Sequence, residues 1–304
     1  MAWHAGDITV HSIHETTLPS STGAWLLPDA TEDLVAATPW LRPDYADPDG
    51  ALRIASRTFA LRIGGKRVLV DTGIGNGKQR ANPAWNDLST PYPQRLAEAG
   101  FEPESVDLVI LTHLHADHVG WNTRWADGRW TPTFPRARYL TSRLEREFWE
   151  GYAMDEAREQ MFRDSVLPVE HAGLLDLVDV PAGGAEILPG LRLVPSPGHT
   201  PGHVSVALGD RDLPSVLITG DCIHHPVQIA HPDIGSCVDI DPAAARSTRR
   251  DLLEACAERG TLVLGTHFAS PAGGTILRAA PSRRFAPAGE EPQDASTGTS
   301  QPLC

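Results

Sequence analysis

Thr112-His113-Leu114-His115-Ala116-Asp117-His118 follows directly on the apolar run Val106-Asp107-Leu108-Val109-Ile110-Leu111. An apolar run of that length reads as a buried strand, so the polar cluster sits where a strand ends. Imidazole and carboxylate are good ligands for zinc and related divalent ions. His113 and His115 are two positions apart, which puts both on one side of an extended backbone. Asp117 and His118 follow where the chain can turn into a helix and aim a second pair at a neighbouring ion. A lone histidine would read as a solvated or core residue. Three histidines and an aspartate packed together after a buried strand read as a metal motif.

Outward from this stretch, three more segments repeat the pattern of strand and then ligand type. Leu191–Pro195 runs into Ser196-Pro197-Gly198-His199-Thr200-Pro201-Gly202-His203. Val216–Thr219 runs into Gly220-Asp221, and Leu262–Gly265 into Thr266-His267. A dinuclear centre needs about this set of nitrogen and oxygen donors, with a carboxylate able to bridge two ions.

The remaining elements are legible at lower resolution. Thr58–Val70 is a hairpin of two strand-like runs around Gly64-Gly65, ending in Asp71-Thr72-Gly73. Pro93–Gly100 and Pro242–Arg259 read as helices, the second with Asp241 as N-cap and Gly260 as its stop. Arg138–Thr141, Val204–Leu208 and Ser215–Thr219 read as strands, and Ser142–Gln160 as a mostly polar helical region. Residues 12–57 have weak periodicity and read as a long surface excursion with one short helix at Thr31–Ala37. The expected division is an N-terminal extension over 1–57 packing on or near the active site, a catalytic domain over 58–279, and a flexible tail over 280–304 rich in Pro, Ser, Gly and acids.

Composition narrows the function. Across 304 residues, 26 Lys and Arg face 39 Asp and Glu, a net charge of −13. That balance argues against general nucleic-acid binding. No run approaches the ~18 apolar residues of a membrane span, and the first residues lack a basic stretch followed by an apolar one. The expectation is a cytoplasmic protein with no nucleic-acid or membrane partner. The four cysteines, Cys222, Cys237, Cys256 and Cys304, are scattered and form no thiolate knuckle. Thirteen histidines are the compositional oddity.

HLHADH, PGHTPGH, GD and GTH, in that order between about Thr58 and Thr275, resemble the metallo-β-lactamase fold superfamily. The resemblance implies an α/β protein built as a four-layer αββα sandwich with metals at one edge. It implies that His113, His115 and His199 hold one ion, that Asp117, His118 and His267 hold a second, and that Asp221 bridges them. His203 would be a structural neighbour of the ligands, and Asp71 would accept the other N–H of a ligand histidine and fix its tautomer. Cys222, next to Asp221, reads as a small buried hydrophobe.

Two such ions, most simply zinc, would share a water and lower its pKa toward ~7, giving a hydroxide nucleophile. Asp117 would hold that nucleophile and carry a proton to the leaving group. In lactonases of this fold a tyrosine often stands three residues after the bridging aspartate; here it is His224, which resembles the branch of methyl-parathion-type hydrolases and their lactonase relatives. His224 would donate to a substrate oxygen or brace a ligand. Trp121, Trp125 and Trp130, with Trp25 and Trp40, are candidates to line an apolar pocket. The expected activity is hydrolysis of a carboxylic ester or lactone by a dinuclear metal enzyme. The alternatives are phosphotriester hydrolysis, then β-lactam hydrolysis or iron-dependent redox chemistry on the same fold, or a non-catalytic metal-binding module. A homodimer is the default assembly.

Overall fold

The computed structural model describes residues 2–211, 214–279 and 282–288. Two sheets carry the chain. The first is built from Ala2–Ala5 (β1), Ile8–Thr17 (β2), Ala55–Ile63 (β3), Lys66–Val70 (β4) and Leu108–Ile110 (β5). After a small hairpin of Thr123–Ala126 (β6) and Arg129–Pro132 (β7), Arg138–Ser142 (β8) and Leu175–Val178 (β9) complete it in the order β1-β2-β3-β4-β5-β8-β9. The second sheet runs in sequence order through Ala185–Leu188 (β10), Leu191–Pro195 (β11), Val204–Gly209 (β12), Pro214–Ile218 (β13), Leu262–Leu264 (β14), Gly273–Ala279 (β15) and Ser282–Pro287 (β16).

Side-chain alternation explains the layers. Phe59, Leu61, Val68, Val70 and Ile110 point from the first sheet into one core shared with Leu193, Val206, Val216, Ile218 and Leu264 of the second. Their chain neighbours Ala60, Leu69 and Val109 point the other way, into a second core with Tyr92, Leu96, Phe101 and Trp149 from outer helices. Strands buried on both faces are continuous apolar runs for this reason. The helix Pro242–Arg259 covers the second sheet with Ala245, Arg249, Leu253 and Cys256, spaced four, four and three apart along one stripe. Asp241 caps it by accepting from the backbone N–H groups of Ala243 and Ala244, and Gly260 ends it at φ 66°. This helix joins β13 to β14, which are parallel and need such a crossover. Gly64 and Gly65, at φ 54° and 75°, turn β3 into β4 as a two-residue loop with both centres left-handed.

Two expected boundaries are corrected. The chain before residue 58 is not set apart from the catalytic domain, because β1 and β2 are integral to the first sheet and β2 pairs along most of β3. Its alternation was masked because the inward side of β2 includes Glu15 as well as Ile8, Val10 and Ile13, and the register shifts between His14 and Thr16. The excursion proper is 18–54, with helices Ser20–Leu26 and Glu32–Ala36, the latter capped by Thr31. The supposed tail contains β16, an edge strand that pairs with β15 and buries Phe285; the remainder, from 289, lies outside the described residues. The polar helical region is two helices, Arg143–Gly151 and Glu156–Met161, parted before the N-cap Asp155.

The first of those helices packs hard against the loop that carries His199. A Cβ at Gly202 would lie 2.1 Å from the Glu145 backbone nitrogen and 2.3 Å from its Cα. Gly202→Ala must therefore push the two backbones apart. Overpacking of this kind costs about 1–3 kcal/mol or more. We expect a lower midpoint in thermal unfolding, together with weaker metal retention.

Candidate metal centre and its cavity

The loops leaving β5, β11, β13 and β14 converge, and they bring together every histidine and aspartate expected as a ligand. His113 Nε2 lies 3.0 Å from His115 Nδ1, which lies 2.9 Å from His199 Nε2. With Asp221 these form one group whose potential ligand atoms all lie within 4.8 Å of one another; Asp117, His118 and His267 form a second. Asp221 stands between them. Its Oδ2 faces His199 Nε2 at 3.4 Å and His113 Nε2 at 3.8 Å, while its Oδ1 faces His118 Nε2 and His267 Nε2, each at 3.2 Å.

Hydrogen bonds on the far side of each ring fix which nitrogens carry protons. His118 Nδ1 meets Asp71 Oδ2 at 2.8 Å, His199 Nδ1 meets Asp239 Oδ1 at 3.0 Å, and His267 Nδ1 meets the Ala55 carbonyl at 2.9 Å. Each partner only accepts, so each ring donates there and turns a bare Nε2 inward. Thr112 Oγ1 donates to Asp71 and so accepts from His113 Nδ1, leaving His113 Nε2 bare as well. His118 and His267 thus face each other through two lone pairs 3.2 Å apart, with Asp221 Oδ1, which has no hydrogen-bond partner, as a third acceptor. Buried acceptors that converge without a donor need a cation between them. The donor set therefore fits two metal ions.

The electrostatics agree. Burial opposes charge on His118, yet the carboxylates of Asp221, Asp71 and Asp117 hold it well above the usual histidine range. Burial and the neighbouring His118 keep His113 well below that range. Burial opposes ionisation of Asp221, but His118, His267 and His224 hold its carboxyl well below the usual value.

Several supporting groups extend beyond the motifs. Asp71 also accepts from the Thr112 backbone N–H at 2.8 Å, tying the end of β4 to the ligand loop. His203 Nε2 accepts from the Asp221 backbone N–H at 2.9 Å, which makes it a brace for the loop after β13. Sequence reasoning missed Asp239 and Glu145. Buried Glu145 accepts from the Leu114 N–H at 3.0 Å, Trp149 Nε1 at 2.7 Å and Thr200 Oγ1 at 2.6 Å, so one carboxylate links both ligand loops. Ser142-Arg143-Leu144-Glu145 reads as an ordinary helix-capping signature, and that reading hides the role. Asp239 carries no local signal at all.

Cys222 is buried, its thiol pushed up to about 12 chiefly by burial, as suits a small hydrophobe. His224 Nε2 lies 3.2 Å from Asp221 Oδ2, off hydrogen-bond geometry, and neither ring nitrogen has a hydrogen-bond partner among the described residues. Burial keeps this imidazole below its ordinary pKa, hence neutral at pH 7.

Above the centre lies a cavity of about 610 Å³. His115, Asp117, Asp221, His224 and His267 form its floor, and Leu18, Trp25, Leu26, Ile54, Trp85, Trp149 and Met161 much of its apolar wall. Of the five tryptophans expected near the pocket, Trp25 alone lines it. Trp121 is buried, stacked on Tyr92 and donating to Glu15. Trp125 is 62% exposed on the β6–β7 hairpin beside Trp130, and Trp40 packs against the inter-sheet core.

Residues 53–267 match the family model of the metallo-beta-lactamase superfamily. An N-acyl homoserine lactonase of Bacillus thuringiensis is 27% identical over 172 residues, 57% of this chain and 60% of that relative. The match thus spans about 60% of the relative's length. Among solved structures, the hydrolase AbOPH of the beta-lactamase superfamily superposes with a TM-score of 0.76 at 24% identity, covering 96% of this chain and 98% of the other. AidC, a dizinc quorum-quenching lactonase, superposes with a TM-score of 0.77 at 19% identity over the same shares. At these identities the likeness is one of fold. No helix among the described residues is long and apolar enough to cross a membrane.

The division of Asp221 between two groups has a direct consequence. Asp221→Asn keeps the shape but removes the charge that both groups share. We expect elemental analysis to find one metal depleted ahead of the other and a large fall in activity. Two retained metals with wild-type turnover would remove Asp221 from the bridge.

Proposed function

This chain belongs to the metallo-beta-lactamase superfamily, and from that premise we propose that it is a dinuclear metal-dependent hydrolase of carboxylic esters or lactones. The observation that carries the reading is the split of Asp221 Oδ1 and Oδ2 between two histidine groups on the floor of an apolar cavity. The lactonase relatives support the same substrate class. Imidazole and carboxylate donors without a thiolate favour zinc among the ions such a site accepts. Paired divalent ions supply water activation at neutral pH and polarise a carbonyl oxygen.

The chain's own residues do the rest. His113, His115 and His199 hold one ion; Asp117, His118 and His267 hold the other; Asp221 bridges. Asp117 lies at the cavity floor with Oδ2 3.4 Å from His267 Nε2. Its carboxylate orients the attacking water and passes a proton to the leaving alkoxide. His224, neutral and without a hydrogen-bond partner, donates to the substrate carbonyl oxygen as negative charge develops on it. The apolar wall holds the acyl or aryl body and limits water. Hydrolysis adds water across the acyl–oxygen bond, giving a carboxylate and an alcohol, joined in one product when the substrate is a lactone.

The test is turnover of chromogenic ester, lactone and phosphotriester substrates by protein of known metal content. Ester or lactone turnover is expected to dominate; phosphotriester turnover above both would replace this substrate class. His224→Phe keeps the ring and removes the donor. We expect kcat to fall by ~10²–10³ with both metals retained. Metal loss of the ~10–100-fold kind seen when a ligand's support is removed would make His224 a brace, and unchanged kinetics would give it neither role.

A further inference from the structure

Arg80 lies on the cavity wall and is 8% exposed. A guanidinium carries five N–H donors. Nη1 donates to Asp164 Oδ2 at 2.8 Å and to the Gln79 carbonyl at 2.8 Å. Nη2 donates to Asp164 Oδ1 at 2.9 Å and to Ser165 Oγ at 3.1 Å. Those contacts use four donors. Nε is buried and has no hydrogen-bond partner among the described residues.

The side chain is not free to swing round and find one. Asp164 grips it at both ends and is itself fixed on the single π-helical turn Phe162–Val166. The Asp164 carbonyl accepts from Lys78 Nζ at 3.2 Å and from Thr123 Oγ1. Lys78 in turn donates to Thr123 Oγ1 at 2.7 Å and sits 3.7 Å from the Trp130 ring centroid. The wall near Arg80 in the chain, Ala81, Ala84 and Trp85, is apolar. Arg158 also lines the cavity, but it is paired with Asp155 and open to water. An immobile, dehydrated donor in an apolar wall is costly to leave unmet, and a bound molecule can meet it.

We propose that Arg80 is a specificity-determining residue whose Nε–H donates to a second, non-scissile carbonyl of the substrate, so that the preferred ester or lactone carries such a group within an otherwise apolar body. This rests on the hydrolase reading above and narrows its substrate class. A carboxylate is a poor fit. The guanidinium fork that would grip one is filled by Asp164, and one remaining N–H suits one neutral oxygen. Arg80 and the metal-facing groups line the same cavity, so one ligand can meet both.

The experiment compares two probes of equal chain length on metal-loaded protein: an N-acylamino-γ-butyrolactone and a 2-alkyl-γ-butyrolactone that lacks the amide. Turnover gives kcat and KM. Quenching of tryptophan fluorescence gives Kd, since Trp25 and Trp85 line the cavity. The wild type is expected to favour the amide probe by about tenfold or more in KM and Kd, the range of a hydrogen bond to a charged donor. Arg80→Lys leaves Asp164 a cation but no N–H at the Nε position, and should bring that preference close to one. A merely structural Arg80 would lower both probes by one factor and leave the preference intact, which would overturn the proposal. Equal handling of both probes by the wild type overturns it as well, whatever the variant does, and would fit a resident water on Nε. Turnover of neither probe would instead overturn the ester and lactone reading, and the ratio of the two Kd values would still decide the role of Arg80.

Discussion

The buried carboxylate of Asp221 is the constraint around which the rest of the structure is arranged. It lies within 3.2–3.8 Å of imidazole nitrogens from four different loops, and at least four of those rings turn a lone pair toward it. Such a cluster is unfavourable on its own terms, because acceptors out of water need donors or cations. The surrounding fold removes the two escapes. Ring flips are blocked because Asp71, Asp239 and the Ala55 carbonyl each hold an Nδ1 proton. Loop retreat is blocked because Glu145, His203 and Asp71 bind the backbone of the ligand loops themselves. What remains is a geometry that binding of cations relieves, so metal affinity and loop rigidity are two faces of one arrangement.

How much of this was legible in the sequence follows from how local each cause is. The hairpin at Gly64-Gly65 and the helix Pro242–Arg259 are fixed by residues inside or beside them, and both stand where the sequence puts them. The ligand types were legible for the same reason: each follows a short apolar strand. The segments that escaped are those whose cause lies elsewhere. β2 alternates only if Glu15 counts as an inward residue, and it does so because the Ile74 and Gly75 N–H groups, Ser56 Oγ and Trp121 Nε1 are there to meet it. β16 contains three polar residues and a proline, and it is held by pairing with β15 and by the single buried Phe285. Asp239 and Glu145 look like any surface acid until distant loops fold onto them.

The cavity wall was the least legible part, and the reason is again physical. Leu18, Trp25, Trp85 and Met161 come from three stretches with no shared motif and no common periodicity. A tryptophan close in sequence to the histidine motif is no guide, because the chain after His118 turns back under the first sheet. Trp121 accordingly stacks on Tyr92 in the outer core and not over the metals.

This separation of floor and wall bears on function. The floor hangs from the ends of sheet strands, where a shift of one ligand would disturb several buried hydrogen bonds at once. The wall is made of short helices and loops between strands, where side chains can change without touching a ligand. Chemistry and substrate choice are thereby held by different parts of the chain. Arg80 is the exception within the wall. Its bidentate pair with Asp164, under the buried Lys78 and Trp130, gives one wall position the fixity of the floor. A rigid donor discriminates between ligands more sharply than a mobile one, because it cannot move to satisfy the wrong partner. Where the wall is loose, substrates of differing shape can be accommodated; at Arg80 the requirement is chemical, and it is the point at which this site can tell one ester from another.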